Sequence, residues 1–254
     1  MILLSIVGIV FFYMTAVFIL ATYRKDNSIV DVAWGIGFIL IALFTLCKTA
    51  LFLPRQILAT LLVVIWGLRL SLHIYLRNKG KGEDPRYKAW RMAWGKYVVI
   101  RSFFQVFMLQ GLMMLLIASS IITINLSHTA GINILDIIGL SLWIIGFMFE
   151  SIGDYQLARF LDRPRGKQQI MNRGLWRYTR HPNYFGEVTL WWGMFIIALS
   201  VPYWQYALIS PITITILLLF VSGIPMTERM FDDNPAYQAY KKETSSFFPW
   251  FTNL

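Results

Sequence analysis

The chain has 254 residues, of which 57% are hydrophobic and only 14% charged, with a mean hydropathy of +0.58 and a formal net charge of +10 at pH 7. Soluble domains run about 45–50% apolar and about 25% charged, so this composition excludes an ordinary soluble domain and indicates an integral membrane protein. One cysteine, Cys47, excludes an intrachain disulfide, and the scattered His73, His128 and His181 offer no metal-ligand spacing, so no metal is expected.

Residues 1–23 are almost wholly apolar and lack a basic leader. They are too long for a signal-peptide core and predict a retained first span. Further apolar runs at 29–46, 53–76, 98–124, 134–153, 184–200 and 207–224 predict seven transmembrane helices in all. The stretch 77–96 is too polar to span, and its Trp90 and Trp94 suggest an interfacial segment. A polar tail, 225–254, closes the chain.

Seven spans place every Lys and Arg except Lys48, Arg55 and the intramembrane Arg69 on one face. The positive-inside rule then puts the N-terminus outside and the C-terminus in the cytoplasm. The expected fold is an all-α integral membrane protein forming a single membrane domain, 1–254. Its positive charge lines short loops between spans, which suits anionic membrane lipids and excludes nucleic acid as a partner.

Trp66, Arg69, His73 and Arg77 recur at spacings of three and four, so they share a face of the third span. Ionisable groups at that depth face a cavity or a partner, because lipid cannot solvate them. Two readings stay open: a polar wall of a substrate pocket, or a structural pairing of Arg69, for instance with Asp31. Glu150 and Asp154 lie one turn apart at the expected end of the fifth span, where acidic groups oppose the helix dipole. Two readings stay open: a solvated helix end, or hydrogen bonds to a ribose or an adenine amine.

The densest stretch runs from Arg173 to Glu187, Arg-Gly-Leu-Trp-Arg-Tyr-Thr-Arg-His-Pro-Asn-Tyr-Phe-Gly-Glu. Pro182 suits the first turn of a helix, where its missing N–H has no intrahelical partner. The free N–H groups of that turn would face the Arg/His cluster, an arrangement suited to phosphate. Asn183, Glu187 and Trp191 recur every four residues and share one helix face. A basic loop gripping lipid headgroups would explain the arginines, but not the carboxylate one turn inside the helix on the same face as an amide. In the tail, Asn234-Pro235 signals the start of a short helix.

The order Gly-Asp-Tyr-Gln-Leu-Ala-Arg, then Asn-Arg-Gly-Leu-Trp-Arg-Tyr-Thr-Arg-His-Pro-Asn-Tyr-Phe-Gly-Glu, then Asn-Pro-Ala-Tyr-Gln-Ala-Tyr-Lys-Lys-Glu-Thr-Ser-Ser-Phe-Phe-Pro-Trp resembles the steroid 5α-reductase C-terminal domain superfamily. It is most similar to that superfamily's uncharacterised bacterial branch, as are Asp31-Val32-Ala33-Trp34-Gly35, Trp66-Gly67-Leu68-Arg69 and Gly82-Glu83-Asp84-Pro85-Arg86-Tyr87. The resemblance implies a seven-span fold in a bacterial inner membrane and NADPH on the cytoplasmic side. It also implies an enone lipid, steroid-like or other, entering from the membrane. Residues 1–145 would then be mainly substrate-side helices and 146–254 the cofactor-binding part. Carried over residue by residue, cofactor contacts fall on Asp154, Arg159, Tyr178, Asn183 and Glu187, with Arg173, Arg180 and His181 beside them and Arg229, Tyr237 and Tyr240 in the tail. Trp34, Trp66 and Arg69 would line the substrate. The steroid reductases' Gln-Glu pair is missing, since Gln56 is followed by Ile57; His73, Tyr75 and Tyr87 remain as candidate catalytic proton donors.

The Arg-His-Pro-x-Tyr-x-Gly pattern also resembles membrane methyltransferases of the isoprenylcysteine and phospholipid type, which bind S-adenosylmethionine. Those follow it with a Glu-Glu pair, whereas here Glu228 is followed by Arg229. A second positive charge suits a phosphate-rich dinucleotide better than a sulfonium. A non-enzymatic lipid-binding protein with the same fold is the third reading.

Overall fold

Several helix starts fall where the chain offers a proline or a side-chain cap. A computed structural model describes residues 2–162 and 169–251, and among these the regular structure is helical throughout. The helices are α1 (Ile2–Arg24), α2 (Ile29–Thr49), α3 (Pro54–Asn78), α4 (Pro85–Ile117), α5 (Ser119–Asn125), α6 (Ile134–Leu161), α7 (Pro182–Ala198), α8 (Trp204–Arg229) and α9 (Pro235–Glu243). Proline opens α3, α4, α7 and α9, where its fixed φ is already helical. Asn133 caps α6: its Oδ1 accepts from Leu135 N at 2.9 Å, while Asp136 Oδ2 accepts from Asn133 N at 2.7 Å.

Among the described residues six helices, α1, α2, α3, α4, α6 and α8, are long and apolar enough to cross a membrane. The remaining expected span, α7, has 17 residues. Three boundaries differ from those expected. α4 begins at Pro85, so the polar stretch feeds directly into the fourth apolar run, which contains a π-helical turn at Ser102–Met108. α5 is separate from α4. α6 continues to Leu161, because 154–161 keeps helix-compatible residues such as Gln156, Leu157 and Ala158. Asp154 is thus well inside the helix, and the dipole argument applied to it does not hold.

The contacts divide into two compact units: 1–132 with 200–209, and 133–199 with 210–254. In the first, α2 and α3 meet at glycines: a Cβ on Gly35 would lie 2.2 Å from Gly67 O, and one on Gly67 2.6 Å from Gly35 O. Small residues at such crossings let backbones approach where lipid supplies no hydrophobic drive. Trp34, Phe38 and Trp66 pack edge to face along this seam, with centroids 5.5 and 5.2 Å apart. A buried polar knot ties α2, α3 and α5. Asn125 Nδ2 donates to Ala42 O, Thr45 Oγ1 and Thr60 Oγ1 at 3.0, 2.9 and 3.2 Å.

In the second unit α6 and α7 run antiparallel along a glycine ladder. Gly139, Gly146 and Gly153 on α6 face Gly193, Gly186 and the Pro182–Asn183 turn on α7. A Cβ on Gly146 would meet Gly186 O and Leu190 N at 2.5 Å, and one on Gly193 would meet Gly139 O at 2.7 Å. The seven-residue spacing keeps the ladder on one face over two turns at a time.

Candidate functional site

At the end of this ladder the first turn of α7 is pressed against α6. Asn183 Nδ2 donates to Asp154 Oδ1 at 3.2 Å. Asn183 Oδ1, which that bond orients, is buried and accepts no hydrogen bond. Glu150, one turn before Asp154, is 2% exposed, and Glu187, one turn after Asn183, is half-buried. The approach to α7 is held to α6 as well. Trp176 Nε1 donates to Gly153 O at 3.0 Å, and Leu175 N donates to Gln156 Oε1 at 3.0 Å. Gly174, at φ +63, sits against the same Gln156 amide, a conformation that favours glycine.

The basic stretch divides by what its side chains touch. Arg159, Arg173, Arg177 and Arg229 are exposed; Arg159 lies over the Tyr155 ring and donates to its hydroxyl at 3.1 Å. Arg180 and His181 are buried and turned inward. Arg180 Nη2 and Nε lie 2.8 and 2.9 Å from Glu228 Oε1, and Nη1 donates to Lys241 O at 3.2 Å and to Thr244 O. His181 Nε2 is 3.3 Å from Glu228 Oε1, and Lys241 Nζ is 3.0 Å from Oε2. Three cationic or potentially cationic groups therefore converge on one carboxylate. His181 stacks on Tyr184, and burial pushes its pKa below the ordinary 6.5 despite the opposing pull of Glu228.

The tail completes this latch. Arg180 N donates to Ser245 O at 2.9 Å, Thr179 Oγ1 to Phe247 O at 2.9 Å, and Trp250 N to Tyr178 O at 2.9 Å. Asn234 Oδ1 caps α9, accepting from Ala236 N and Tyr237 N. Tyr240 donates to Trp176 O, and Tyr237 stacks on Phe231 at 4.9 Å. Burial, reinforced by Glu228, pushes the Tyr237 hydroxyl up to about 12. Of the residues predicted to touch a cofactor, Arg180, His181, Tyr237 and Tyr240 are thus engaged in holding the tail. Asp154, Asn183 and Glu187 sit together at the α6–α7 turn, and Arg159, Arg173 and Arg229 present exposed charge, with Tyr178 half-buried.

The first unit holds the remaining candidates. Tyr87 donates to Asp31 Oδ1 at 2.6 Å and accepts from Gln110 Nε2 at 3.2 Å; it is 4% exposed. Arg86 Nη2 meets Asp31 Oδ2 at 3.2 Å and also holds Asp84. Asp31 therefore pairs with Arg86, whereas the structural alternative for Arg69 named Asp31 as its partner. Glu83 pairs with Arg91 at 2.8 Å and accepts from Asn27 N at 2.8 Å; these bonds outweigh burial and hold its carboxyl below the usual range. The Gly-Glu-Asp-Pro-Arg-Tyr motif thus fastens the start of α4 to the start of α2. Trp66 is 1% exposed in the aromatic seam, Trp34, Arg69 and His73 are half-buried, and Tyr75 is exposed. Tyr75 borders a polar hollow of about 290 Å³ with Arg24, Asn78 and Lys79.

Sequence reasoning missed the glycine ladder and the role of Glu228. The ladder's seven-residue period is visible in the sequence. The Glu228 latch is not, because Arg180 and His181 lie 48 and 47 residues before Glu228 with no local pattern linking them.

A family model described as "Protein of unknown function (DUF1295)" matches residues 17–244. An uncharacterized protein of Schizosaccharomyces pombe (strain 972 / ATCC 24843) is 24% identical over 261 residues, covering 90% of this chain and 74% of its own length. No solved structure matches the chain.

Proposed function

The chain belongs to the DUF1295 family, whose description leaves the activity open, and we propose that it is a membrane-embedded, NADPH-dependent reductase of a carbon–carbon double bond in an apolar enone lipid. The observation that carries this reading is the buried, unpartnered Asn183 Oδ1 beside Asp154. A buried acceptor without a donor is costly, and the amide or ribose of a dinucleotide would supply one. Exposed Arg159, Arg173 and Arg229 would hold the phosphates through charge-assisted bonds. NADPH, when bound, would supply hydride.

The chain's own part is to bind, orient and deliver a proton. Tyr87's proton is directed at Asp31, which leaves His73 and Tyr75 as the donors that would polarise the substrate oxygen. Trp34 and Arg69 would border the substrate. The methyltransferase reading gains nothing at Glu228, whose carboxylate is already shared by Arg180, His181 and Lys241.

We further propose seven crossings, with the N-terminus outside and the tail in the cytoplasm, in a bacterium across the inner membrane. At 1.5 Å per residue α7 spans about 25 Å, near the lower limit for a crossing of about 17 residues. The one-sided distribution of Lys and Arg supports the orientation.

Incubating the detergent-solubilised full chain with NADPH and a 3-oxo-4-ene steroid tests the reaction. Loss of NADPH absorbance with formation of the saturated ketone is expected. Methyl transfer from S-adenosylmethionine to a lipid or prenyl-thiol acceptor, with no NADPH consumption, would replace this reading.

A further inference from the structure

The first unit contains a cavity of about 860 Å³ that none of the proposed chemistry uses. Its walls are aliphatic, formed by Ile6 and Val7 of α1, Leu116 of α4 and Ile122 of α5. Its mouth carries Ser127, His128 and Thr129 from the loop after α5, with Tyr203 from the segment before α8. α1 contributes its first two turns here and ends at Arg24, about 27 Å further along at 1.5 Å per residue. The cavity is therefore remote, along α1, from the Asp31–Tyr87 cluster that follows the helix end.

Three features make this a built site. First, the mouth is held rigid from beneath by buried polar side chains. Gln56 Nε2 donates to Ser127 O at 2.9 Å, and Arg55 Nη1 donates to Thr129 O at 3.3 Å, with both residues no more than 2% exposed. Gln56, read in sequence as half of a missing catalytic pair, thus positions a loop. Second, Ser119 Oγ on the cavity wall is buried and has no hydrogen-bond partner. Third, Tyr203 at the mouth has φ +62, a left-handed conformation that non-glycine residues hold at a cost and that clusters at ligand clamps.

An apolar cavity with a hydroxyl- and imidazole-bearing mouth fits an amphiphile. Among the described residues no Lys, Arg, Asp or Glu lines it, so none of these side chains would neutralise a phosphate or carboxylate. We propose that this cavity binds a neutral single-chain lipid, a monoacylglycerol or long-chain alcohol, with its chain against Ile6, Leu116 and Ile122 and its polar head bonded by Ser119 and the Ser127–Thr129 loop. A volume of this size falls within the range of small-molecule sites, about 300–1,000 Å³.

The test uses radiolabelled monoolein and the detergent-solubilised full chain without NADPH, so its outcome is independent of the reductase reading. Saturable binding at one molecule per chain is expected. Ile122→Trp, which fills the cavity, should weaken binding at least tenfold. Ser119→Ala, a small change that leaves packing intact, should weaken it roughly 2- to 13-fold by removing one hydrogen bond. Thermal unfolding of both variants establishes that they remain folded. Binding unaltered in both folded variants would overturn the site, and tighter binding of anionic lysophosphatidylglycerol than of monoolein would overturn the neutral head.

Discussion

Arg180 and Glu228 form a largely buried ion pair, with Nη2 and Nε of the guanidinium 2.8 and 2.9 Å from the same carboxylate oxygen. The pair joins the residue before the α7 turn to the end of α8, and Arg180 also holds the carbonyls of Lys241 and Thr244. Removing one partner leaves the other charge desolvated, which costs about 3–5 kcal/mol for buried pairs. Arg180→Ala should therefore lower the thermal midpoint strongly and expose the tail to protease. Glu228→Gln, which keeps hydrogen-bonding capacity, should cost less. Equal midpoints for wild type and Arg180→Ala would show that the pair does not hold the tail.

The glycine ladder makes a contrast between two substitutions. Gly146→Ala would place a methyl 2.5 Å from Gly186 O, with backbone rather than a flexible side chain in its way. Overpacking against backbone should cost about 1–3 kcal/mol. Gly8→Ala on α1 meets nothing within 4 Å and should be neutral, or stabilising by up to about 1 kcal/mol from helix propensity. Thermal unfolding in one detergent compares the two. Equal effects would mean that the helices part freely.

His181 predicts a pH dependence. Burial lowers its folded pKa below 6.5, with Arg180 adding to the shift and Glu228 opposing it. Below about pH 6.5 the unfolded chain then holds more protons on this group than the folded one, so stability falls as pH drops through the window beneath that value and is fully present above it. His181→Gln should flatten the unfolding midpoint in the range below about pH 6.5. A wild-type profile that rises on acidification in that range would contradict this assignment.

Much of the helical framework was legible because apolar runs of about 20 residues and prolines at first-turn positions are local signals. Pro182 and Asn234-Pro235 start α7 and α9 where the sequence placed those starts. The extension of α6 through Tyr155–Leu161 was not legible, since its charged residues read as a helix end. The pairing of Asp31 with Arg86 rather than Arg69 depends on how α4 folds back against α2, which no spacing rule contains. Arg180 and His181 were read as ligand donors because they sit beside a helix start. Their inward turn follows from Glu228 and the tail carbonyls, which reach them only in the folded chain.

The bond from Tyr87 to Asp31 should be measurable as a coupling. Tyr87→Phe and Asp31→Ala each remove the short bond, and a hydrogen bond to a charged group is worth about 1.5–3 kcal/mol. A double-mutant cycle should return a coupling of about 1–3 kcal/mol. Additive effects would mean that the two side chains act independently.

The most direct test of the reductase reading is calorimetric titration of the solubilised full chain with NADPH and with S-adenosylmethionine, for wild type and Asn183→Ala. Saturable NADPH binding is predicted, weakened roughly 2- to 13-fold in Asn183→Ala by the loss of a hydrogen bond of about 0.5–1.5 kcal/mol, with no heat from S-adenosylmethionine. Saturable S-adenosylmethionine binding with no response to NADPH, or NADPH binding indifferent to Asn183, would contradict it.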